Sequence, residues 1–341
     1  MVESIDFIIP WVDGSDPKWI EEKSKYDTSI RETTSLDASN AACRYRADSD
    51  MLRYWFRGVE KCAPWVNTIH FVTCGQKPEW LNENHPKLHL VNHSDYIPAK
   101  YLPTFNSNTI EMNYHRIEDL AEKFVLFNDD CYLLKPVSPE FFFNTAPVLS
   151  TNLNYSRNIE YSNWCRVMFN DYCVVNTSFD IKSSIKSNWR KWFNVKELGL
   201  GRSLLNYLCF KVNCSLPVSS YGHFALPHLK STLQEVWERH PDIMDQSCIH
   251  KFRSDDQVNQ WLLCAWNQAK GTFFPGKRKK LGIRIVLASD TLPLILDIIK
   301  HKSIPQICIN DTSSNTEPDK CMAEILEAFK MVFPEKSMFE K

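Results

Sequence analysis

Two acidic turns, each at the end of a short apolar run, are the parts of this sequence best suited to chemistry. The run FVLF leads into Asn128, Asp129 and Asp130, and the run ICI leads into Asn310 and Asp311. Ligands of open α/β sheets bind at the carboxyl ends of the strands, so we expect both turns to reach one crevice. Asp129 and Asp311 would supply the hard oxygen ligands that Mg²⁺ or Mn²⁺ prefers, and such an ion suits a bound diphosphate.

An alternative explanation is that these residues only form turns. Asn and Asp favour turns after strands without any functional role, and for a single turn this is the better explanation. A third acidic turn, from Asp13 to Asp16, follows the apolar run IDFIIP. Three acidic turns after three predicted strands favour a functional site.

A second set of polar side chains lies just before the first acidic turn. Glu111 and His115 are four residues apart, which places them on one face of a helix predicted over residues 111–123. On that face they are suited to orient a base or a sugar hydroxyl. The alternative is a helix that is capped by Asn106 or Ser107 and carries an ordinary exposed pair, and the sequence alone favours neither.

Basic and histidine side chains supply further candidates. A basic cluster with forked donors for phosphate oxygens consists of Arg44, Arg46, Arg53 and Arg57. The alternative for this cluster is a solvated helix face. The C-terminal half carries His223, His228, His250 and Arg253. A lone histidine is more often structural than catalytic, and no closely spaced His/Cys pair predicts a zinc site.

The order of predicted elements indicates how these groups are positioned. Strands are predicted over residues 5–10, 68–73, 87–92, 124–127, 283–288 and 306–309. Helices are predicted over residues 52–62, 111–123, 229–239, 254–268 and 320–333. This alternation predicts an α/β fold in which a mostly parallel sheet is flanked by helices.

Between the two halves of this core, residues 1–150 and 217–341, the pattern changes. Residues 151–216 are rich in Asn and Ser and are predicted to form a helical insertion or lid, a probable acceptor region. Its aromatic residues Trp164, Trp189 and Trp192 either stack on sugars or pack in the core, and the sequence leaves both open. The basic run 277–280 is interpreted as a solvated loop, with contact to lipid phosphates or an anionic polymer as the alternative.

Composition excludes several other classes of protein. The 40 Lys and Arg residues balance 41 Asp and Glu residues, which gives no electrostatic basis for nucleic-acid binding. The 12 cysteines form no CxxC pair, so we expect reduced thiols. None of the nine glycines belongs to a GxGxxG or GxxxxGK loop, so a metal and side chains must hold any phosphate. Without a recognisable signal peptide or spanning segment, we expect a cytoplasmic protein, with peripheral membrane contact left open.

Several long blocks of this sequence resemble the Stealth family. They are IDFIIPWVDGSDPKW at 5–19, RYRADSDMLRYWFRGVEKCAPWVNTIHFVTCGQKPEWLN at 44–82, LPTFNSNTIEMNYHRI at 102–117, FNDD at 127–130, PHLKSTLQEV at 227–236, HKFRSDDQVN at 250–259 and CINDT at 308–312. The family comprises bacterial capsular and exopolysaccharide phosphotransferases, related to the catalytic subunit of the animal lysosomal-enzyme N-acetylglucosamine-1-phosphotransferase. The blocks cover nearly the whole chain except the insertion.

The resemblance implies a nucleotide-sugar-transferase core that is Rossmann-like and similar to the GT-A fold. It implies transfer of a hexose or N-acetylhexosamine 1-phosphate from a UDP-sugar such as UDP-GlcNAc to a hydroxyl of a growing polysaccharide. The expected cofactor is Mg²⁺ or Mn²⁺, the partners are the nucleotide-sugar donor and the polysaccharide acceptor, and the released product is UMP.

The resemblance also implies roles for individual residues. Its catalytic candidates are Asp130, His228, Arg253, Glu111 and His115. Its substrate-binding candidates are Asp16, Arg53, Arg57, Asn106, Arg116 and Asn310, and its metal candidates are Asp129 and Asp311. In this hypothesis Asp130 is the general base, and His228 stabilises the phosphoryl group or protonates the leaving group, with His223 as the competing histidine.

Two other functions are compatible with the sequence. A metal-dependent glycosyltransferase would release a nucleoside diphosphate instead of a monophosphate. A non-catalytic carbohydrate-binding or assembly protein would consume no nucleotide sugar, and the intact acidic turns argue against it.

Overall fold

The computed structural model describes residues 4–26, 50–151, 163–213, 222–276, 281–311 and 317–341, so Arg44, Arg46 and the basic run 277–280 lie outside the described residues. Its strands are β1 (Ile5–Pro10), β2 (Ile69–Thr73), β3 (Leu88–Asn92), β4 (Lys123–Leu126), β5 (Cys131–Leu133), β6 (Val148–Ser150), β7 (Leu226–Leu229), β8 (Phe274–Gly276), β9 (Ile283–Val286) and β10 (Gln306–Asn310).

The α-helices in these ranges are α1 (Pro17–Ser24), α2 (Met51–Cys62), α3 (His93–Tyr96), α4 (Ser107–Glu111), α5 (Asn163–Ser178), α6 (Ile181–Ser187), α7 (Trp189–Trp192), α8 (Val195–Leu198), α9 (Leu200–Asn213), α10 (Lys230–Arg239), α11 (Pro241–Cys248), α12 (Gln260–Lys270), α13 (Leu292–His301) and α14 (Pro318–Val332). Short 3-10 helices cover Ala99–Tyr101, Tyr114–Arg116 and Pro139–Phe141. None of the described helices is long and apolar enough to cross a bilayer.

A five-stranded sheet with the order β3-β2-β1-β4-β7 lies at the centre of the fold. Strands β1 to β4 run parallel, and β7 pairs antiparallel with β4 at one edge. Because β1 and β4 are parallel neighbours, the turns that follow them lie at the same end of the sheet. The predicted mostly parallel α/β sheet flanked by helices is confirmed.

The apolar runs of β1 and β4 are buried on both faces. Phe7 and Ile9 of β1 pack in one core cluster with residues of α2, α13 and α14. Ile8 packs in a second cluster with residues of α10 and α12. Parallel strands that are covered on both sides are largely hydrophobic, as FVLF and most of IDFIIP are. The exception is the buried Asp6, whose Oδ2 lies 3.0 Å from Nε2 of His70.

A second sheet has the strand order β5-β10-β9. Its strand β5 comes directly after β4 along the chain. Strand β10 pairs antiparallel with β5 and parallel with β9. The first acidic turn lies just before β5, and the second lies at the end of β10. Antiparallel pairing places the start of one strand beside the end of the other, so the two acidic turns are adjacent.

The insertion contains five helices, α5 to α9, in its described part. Helix α5 packs against α12, which joins the insertion to the core. Trp192 is buried with its ring centroid 5.3 Å from that of Phe273, so it packs in the core. Trp164 and Trp189 are exposed.

The prediction of one helix over residues 111–123 is wrong. Helix α4 ends at Glu111, and a 3-10 helix covers Tyr114–Arg116. Between them, the side chain of Asn113 donates a hydrogen bond to the Thr109 carbonyl at 2.8 Å. Local side-chain bonds of this kind compete with a continuing helix. Glu111 and His115 therefore do not share a helical face.

The helix predicted over residues 254–268 begins later, at Gln260. Its N-cap is Asn259, whose side-chain oxygen accepts a hydrogen bond from the Trp261 backbone at 2.9 Å. Residues 254–259 form a loop instead of the first turns of the helix.

The C-terminal segment is anchored on α2 by a buried ion pair. Nε and Nη2 of Arg57 donate to the two carboxylate oxygens of Glu340 at 2.7 and 2.8 Å, and Nη1 donates to the Phe333 carbonyl at 2.9 Å. Burial opposes ionisation of Glu340, but hydrogen bonds from Arg57 and from the Ser337 backbone lower its pKa to about 2. Forked pairing of this kind fixes both side chains.

Replacing Arg57 by Met should destabilise the fold, because Glu340 would stay buried without its partner. We expect Arg57→Met to lower the free energy of unfolding by about 3 kcal/mol, measured by urea denaturation near neutral pH. The pKa of Glu340 is lower in the folded protein than its unfolded value of about 4.3. The contribution of the pair should therefore be complete above that pH and disappear as the pH falls towards the folded value.

The matched control for this prediction is Lys61→Met on the same helix. Lys61 pairs with Glu335 at 2.8 Å, but both side chains are exposed. Exposed pairs contribute little, so this variant should unfold like the wild type. Equal destabilisation by the two substitutions would contradict the anchoring role of Arg57.

Candidate active site

The turn between β4 and β5 is the centre of the candidate site. The backbone N–H of Ile309 donates to the Asp130 carbonyl at 2.9 Å, and Nδ2 of Asn310 donates to Oδ2 of Asp130 at 3.2 Å. These bonds join the first acidic turn to the second. The structure therefore places Asp129 and Asp130 at the same end of the fold as Asp311, which follows β10.

Arg284 is a residue of this site that sequence reasoning missed. Its Nη2 donates to Oδ1 of Asn310 at 2.7 Å. Because the amide oxygen is held in this way, the amide nitrogen is directed at Asp130. The sequence feature that could have identified Arg284 is its charge within the short, otherwise apolar strand IRIV, which pairs with β10.

His223 is the histidine that lies at the acidic turn. Its Nε2 is 3.5 Å from Oδ2 of Asp130 and 3.0 Å from Nδ2 of Asn128. The side chain is partly exposed, so it can reach a ligand. Asn128, the first residue of the acidic turn, thus helps to position the ring.

The assignment of His228 as the active-site histidine is corrected by the structure. His228 lies within β7 opposite Phe124, and its side chain is completely buried in the core. Burial lowers its pKa to about 4, so the ring is neutral near neutral pH. Along a strand, successive side chains alternate between faces, and at this position the side chain faces the helices that cover the sheet.

The two carboxylates of the first turn have opposite pKa shifts. Although the Asp129 residue is exposed at the surface, desolvation by the surrounding protein raises the pKa of its carboxyl, and the negative charge of Asp130 raises it further. Burial acts on Asp130 in the same direction, but His223, Asn310 and the Cys131 thiol together hold its pKa below the usual range. Asp130 therefore stays ionised. Asp129, beside that negative charge, is the carboxyl group whose ionisation is disfavoured.

Glu111 and Arg253 lie near the first acidic turn. Burial raises the pKa of Glu111 to about 7, although Arg253 and His223 act electrostatically to lower it. The same two side chains act on Asp129, so all four groups are neighbours. Nε and Nη2 of Arg253 donate to the Ser107 hydroxyl at 3.2 and 2.7 Å, which ties Arg253 to the start of α4.

Asn106 has a structural role and not the predicted contact with substrate. It is fully buried and is the N-cap of α4, where its side-chain oxygen accepts from the Asn108 backbone at 3.1 Å. Its Nδ2 donates to the carbonyls of His250 and Phe252 at 3.2 and 3.0 Å. Asn106 thus fixes the loop that carries Arg253.

His115 and Arg116 lie at the far end of β4 from the acidic turn, so the structure contradicts their predicted place in the site. Burial, followed by the charges of Arg116 and Lys230, lowers the pKa of His115 to about 3. Lys230 follows β7, whose last residue pairs with the first residue of β4. The Arg116 guanidinium lies 4.8 Å from the centroid of the Trp237 ring.

Asp16 lies in the turn after β1, at the same end of the central sheet as the acidic turn after β4. It is the N-cap of α1 and accepts a hydrogen bond from Nε2 of Gln76 at 2.9 Å. The hydrogen bond from Gln76 lowers the pKa of Asp16, which therefore stays ionised. Gln76 also donates to the Asp13 carbonyl at 3.0 Å, so it holds this whole turn.

Arg53 and Arg57 contribute to the C-terminal anchor. Every nitrogen of the Arg57 guanidinium donates a hydrogen bond within the protein, so the predicted phosphate contact of Arg57 is contradicted. Arg53 donates to Asp50 at 2.8 Å and to Glu340 at 3.4 Å, and it stacks on the Trp80 ring. For Arg53 and Arg57, the two members of the predicted cluster that lie within the described residues, the structure shows ion pairs with Glu340 of the C-terminal segment.

The donor set at the acidic turns fits a hard divalent cation. The carboxylates of Asp129 and Asp311, which belong to the two joined turns, would supply oxygen ligands of the type that Mg²⁺ and Mn²⁺ prefer. A cation there would stabilise the ionised form of Asp129, whose pKa is raised by desolvation and by the charge of Asp130. A second possible ligand group is Asp130, His223 and Cys308, whose donor atoms lie within 4.8 Å of one another. Burial raises the pKa of Cys308 to about 11, which keeps the thiol protonated and disfavours it as a ligand.

Cation binding distinguishes these two ligand sets. We expect Asp129→Asn to weaken Mn²⁺ binding by at least about tenfold, measured by isothermal titration calorimetry, because it removes a charged oxygen ligand. Cys308→Ser is the control and should bind Mn²⁺ like the wild type. Loss of binding in Cys308→Ser, with binding retained in Asp129→Asn, would assign the cation to the other group.

Two family models and several full-length relatives match the sequence of this chain. The model of Stealth protein CR2, conserved region 2, matches residues 44–150, and that of Stealth protein CR1, conserved region 1, matches residues 3–31. The capsular polysaccharide phosphotransferase WcwK of Streptococcus pneumoniae is 41% identical over 344 residues, which cover 100% of both chains. The receptor polysaccharide phosphotransferase WefC of Streptococcus gordonii is 36% identical over 342 residues, again with 100% of both chains covered.

Among solved structures, an active-site mutant of LgtC matches with a TM-score of 0.35 and 9% sequence identity, over 94% of this chain and 95% of that chain. A likeness this low carries no inference about fold or activity.

Proposed function

This chain belongs to the Stealth family of polysaccharide phosphotransferases, and we propose that it transfers a sugar 1-phosphate from a UDP-sugar to a hydroxyl of a growing capsular or cell-surface polysaccharide, releasing UMP. It is a transferase, and relatives matched over their full length are named phosphotransferases of polysaccharides. The transferred group is a hexose or N-acetylhexosamine 1-phosphate in this proposal.

The proposal depends on one observation, the meeting of two acidic turns beside His223, Arg253 and Glu111. Phosphoryl transfer needs positioned positive charge and oriented reactants more than it needs covalent catalysis. Arg253 and His223 supply donors for phosphoryl oxygens, and the carboxylates supply cation ligands. This combination favours chemistry at phosphorus and supports phosphotransfer.

In the proposed reaction, an acceptor hydroxyl attacks the phosphorus atom that carries the sugar. The hydroxyl proton passes to a base, a new oxygen–phosphorus bond forms, and the bond from phosphorus to UMP breaks on the opposite side. Arg253 and His223 hold the phosphoryl oxygens while the charge shifts. A divalent cation held by Asp129 and Asp311 would supply positive charge for the diphosphate. Asp16 and Gln76 are assigned to the donor side of the cleft, in the turn after β1.

The pKa values favour Glu111 over Asp130 as the general base. An efficient base has a pKa near the working pH, and Glu111 has a pKa of about 7. Asp130 has a pKa below the usual range because His223, Asn310 and Cys131 stabilise its anion. We therefore assign Asp130 to holding His223 and Asn310 in place, which changes the role inferred from the sequence.

Strand pairing between the N-terminal and C-terminal halves supports one catalytic core built from both. Strand β7 from the C-terminal half completes the sheet of the N-terminal half, and β10 pairs with β5. The proposal treats residues 1–150 and 217–341 as one catalytic core and residues 151–216 as the acceptor region. It places the reaction in the cytoplasm, where nucleotide sugars are available.

The released nucleotide tests the proposed reaction. We expect incubation with UDP-sugars, a divalent cation and a capsule oligosaccharide to yield UMP and a new phosphodiester signal in phosphorus NMR. Panels of GDP- and CMP-sugars provide the comparison for donor choice. Release of UDP without a phosphodiester would assign the protein to the glycosyltransferases, and failure to consume any donor would favour a carbohydrate-binding role.

The pH dependence of the rate tests the assignment of Glu111. A base must be deprotonated, so kcat should rise through a pKa of about 7 and level off at higher pH. Glu111→Gln removes the ionisation and should lower kcat by about 10²- to 10⁴-fold, without the acidic limb. His115→Gln is the control, because His115 lies at the far end of β4, and it should keep the wild-type profile. An unchanged acidic limb in Glu111→Gln would remove Glu111 as the base.

A further inference from the structure

Helix α9 has its apolar side chains on the outside. Ser203 and Asn206 face the protein and are buried. On the opposite side Leu200, Leu204 and Leu208 are 72%, 53% and 49% exposed. Their spacing of four residues forms one continuous stripe along the helix. A surface helix of a globular protein normally buries such a stripe, so this arrangement indicates an unfilled binding surface.

Neighbouring helices extend the stripe into a larger surface. Seven of the sixteen large apolar side chains that are exposed in the described ranges fall between residues 189 and 208, a density that marks an interaction surface. They include Trp189 of α7 and Val195 of α8. A groove of about 490 Å³ runs between these helices and α9, lined by Trp189, Phe193, Leu204 and Tyr207. We call this surface, with the stripe on α9, the insertion face.

The insertion face is also strongly basic. Between residues 181 and 213 there are seven Lys or Arg residues and one acidic residue, Glu197, although the whole chain is close to neutral. Lys182, Lys186, Lys196 and Lys211 are exposed. Two of them, Lys186 and Lys211, line the apolar groove itself. Positive charge therefore borders the exposed leucines.

We propose that the insertion face binds the surface of an anionic lipid bilayer. Exposed Leu and Trp side chains enter the headgroup region, and the surrounding lysines meet lipid phosphates. Trp189 is of the residue type that favours this boundary. A second copy of the chain is a poorer occupant, because two insertion faces would bring like charges together. A hydrophilic anionic polymer would leave the leucines in water. The inference concerns where the protein binds and is independent of the reaction it catalyses.

Vesicle co-sedimentation of the full chain tests this proposal. We expect the wild type to bind vesicles with about 30 mol% phosphatidylglycerol, to bind pure phosphatidylcholine vesicles much more weakly, and to dissociate as salt is raised. Leu204→Glu/Leu208→Glu should weaken binding by at least about tenfold, because it places charges in the apolar stripe. Lys186→Glu/Lys211→Glu should weaken binding to the anionic vesicles in the same way.

The matched control is Leu294→Glu/Met331→Glu on α13 and α14. These side chains are 50% and 71% exposed, so the control has the same chemistry at a different surface. It should bind vesicles like the wild type, and thermal melting should show that all variants are folded. Wild-type binding by Leu204→Glu/Leu208→Glu, or no binding by the wild type, would overturn the proposal. A wild-type dimer that this variant converts to a monomer, without vesicle binding, would assign the face to a second copy.

Discussion

The placement of two adjacent carboxylates, Asp129 and Asp130, at the junction of two sheets is the constraint around which the rest of the site is built. Adjacent carboxylates at the junction of two sheets would both resist ionisation. The structure stabilises one of them, because His223, Asn310 and Cys131 surround Asp130 and lower its pKa. The other keeps a raised pKa. Under the proposed function, this pair of one stable anion and one carboxylate with a raised pKa would receive a cation and a diphosphate.

The fold brings distant parts of the chain to this junction. Strand β4 belongs to the central sheet and β5 to the second, so the turn between them lies where both sheets end. Strand β10 arrives from the C-terminal half and brings Asn310, which Arg284 orients. Arg253 is tied to the start of α4 by Ser107, and Asn106 holds the same loop. Asn310 and Arg253 are therefore each positioned by hydrogen bonds from or to neighbouring side chains of the fold.

Local sequence predicted the strands β1 to β4, β9 and β10, but not the short strands β5 to β8 or several of the connections. IDFIIP and FVLF are buried on both faces, so their composition alone identifies them, and the acidic turns after β4 and β10 do meet. The helix over 111–123 failed because a side-chain bond from Asn113 competes with the backbone, which periodicity does not detect. From the sequence, Arg57 resembles a phosphate ligand. In the structure its guanidinium donates to Glu340, which lies 283 residues further along the chain and which local sequence does not reveal as its partner. His223 lies before β7 and reaches the acidic turn, whereas His228 lies within β7 and is buried opposite Phe124, a difference that depends on where the strand begins and how it pairs.

The most direct test of the account is the position of Mn²⁺ in crystals of the protein with a bound UDP-sugar, located by anomalous scattering. The account predicts one ion in contact with Asp129 and Asp311, and with the diphosphate between that ion and Arg253. An ion bound at Cys308, or a diphosphate in another part of the molecule, would contradict the claim that the two acidic turns form one phosphotransfer site.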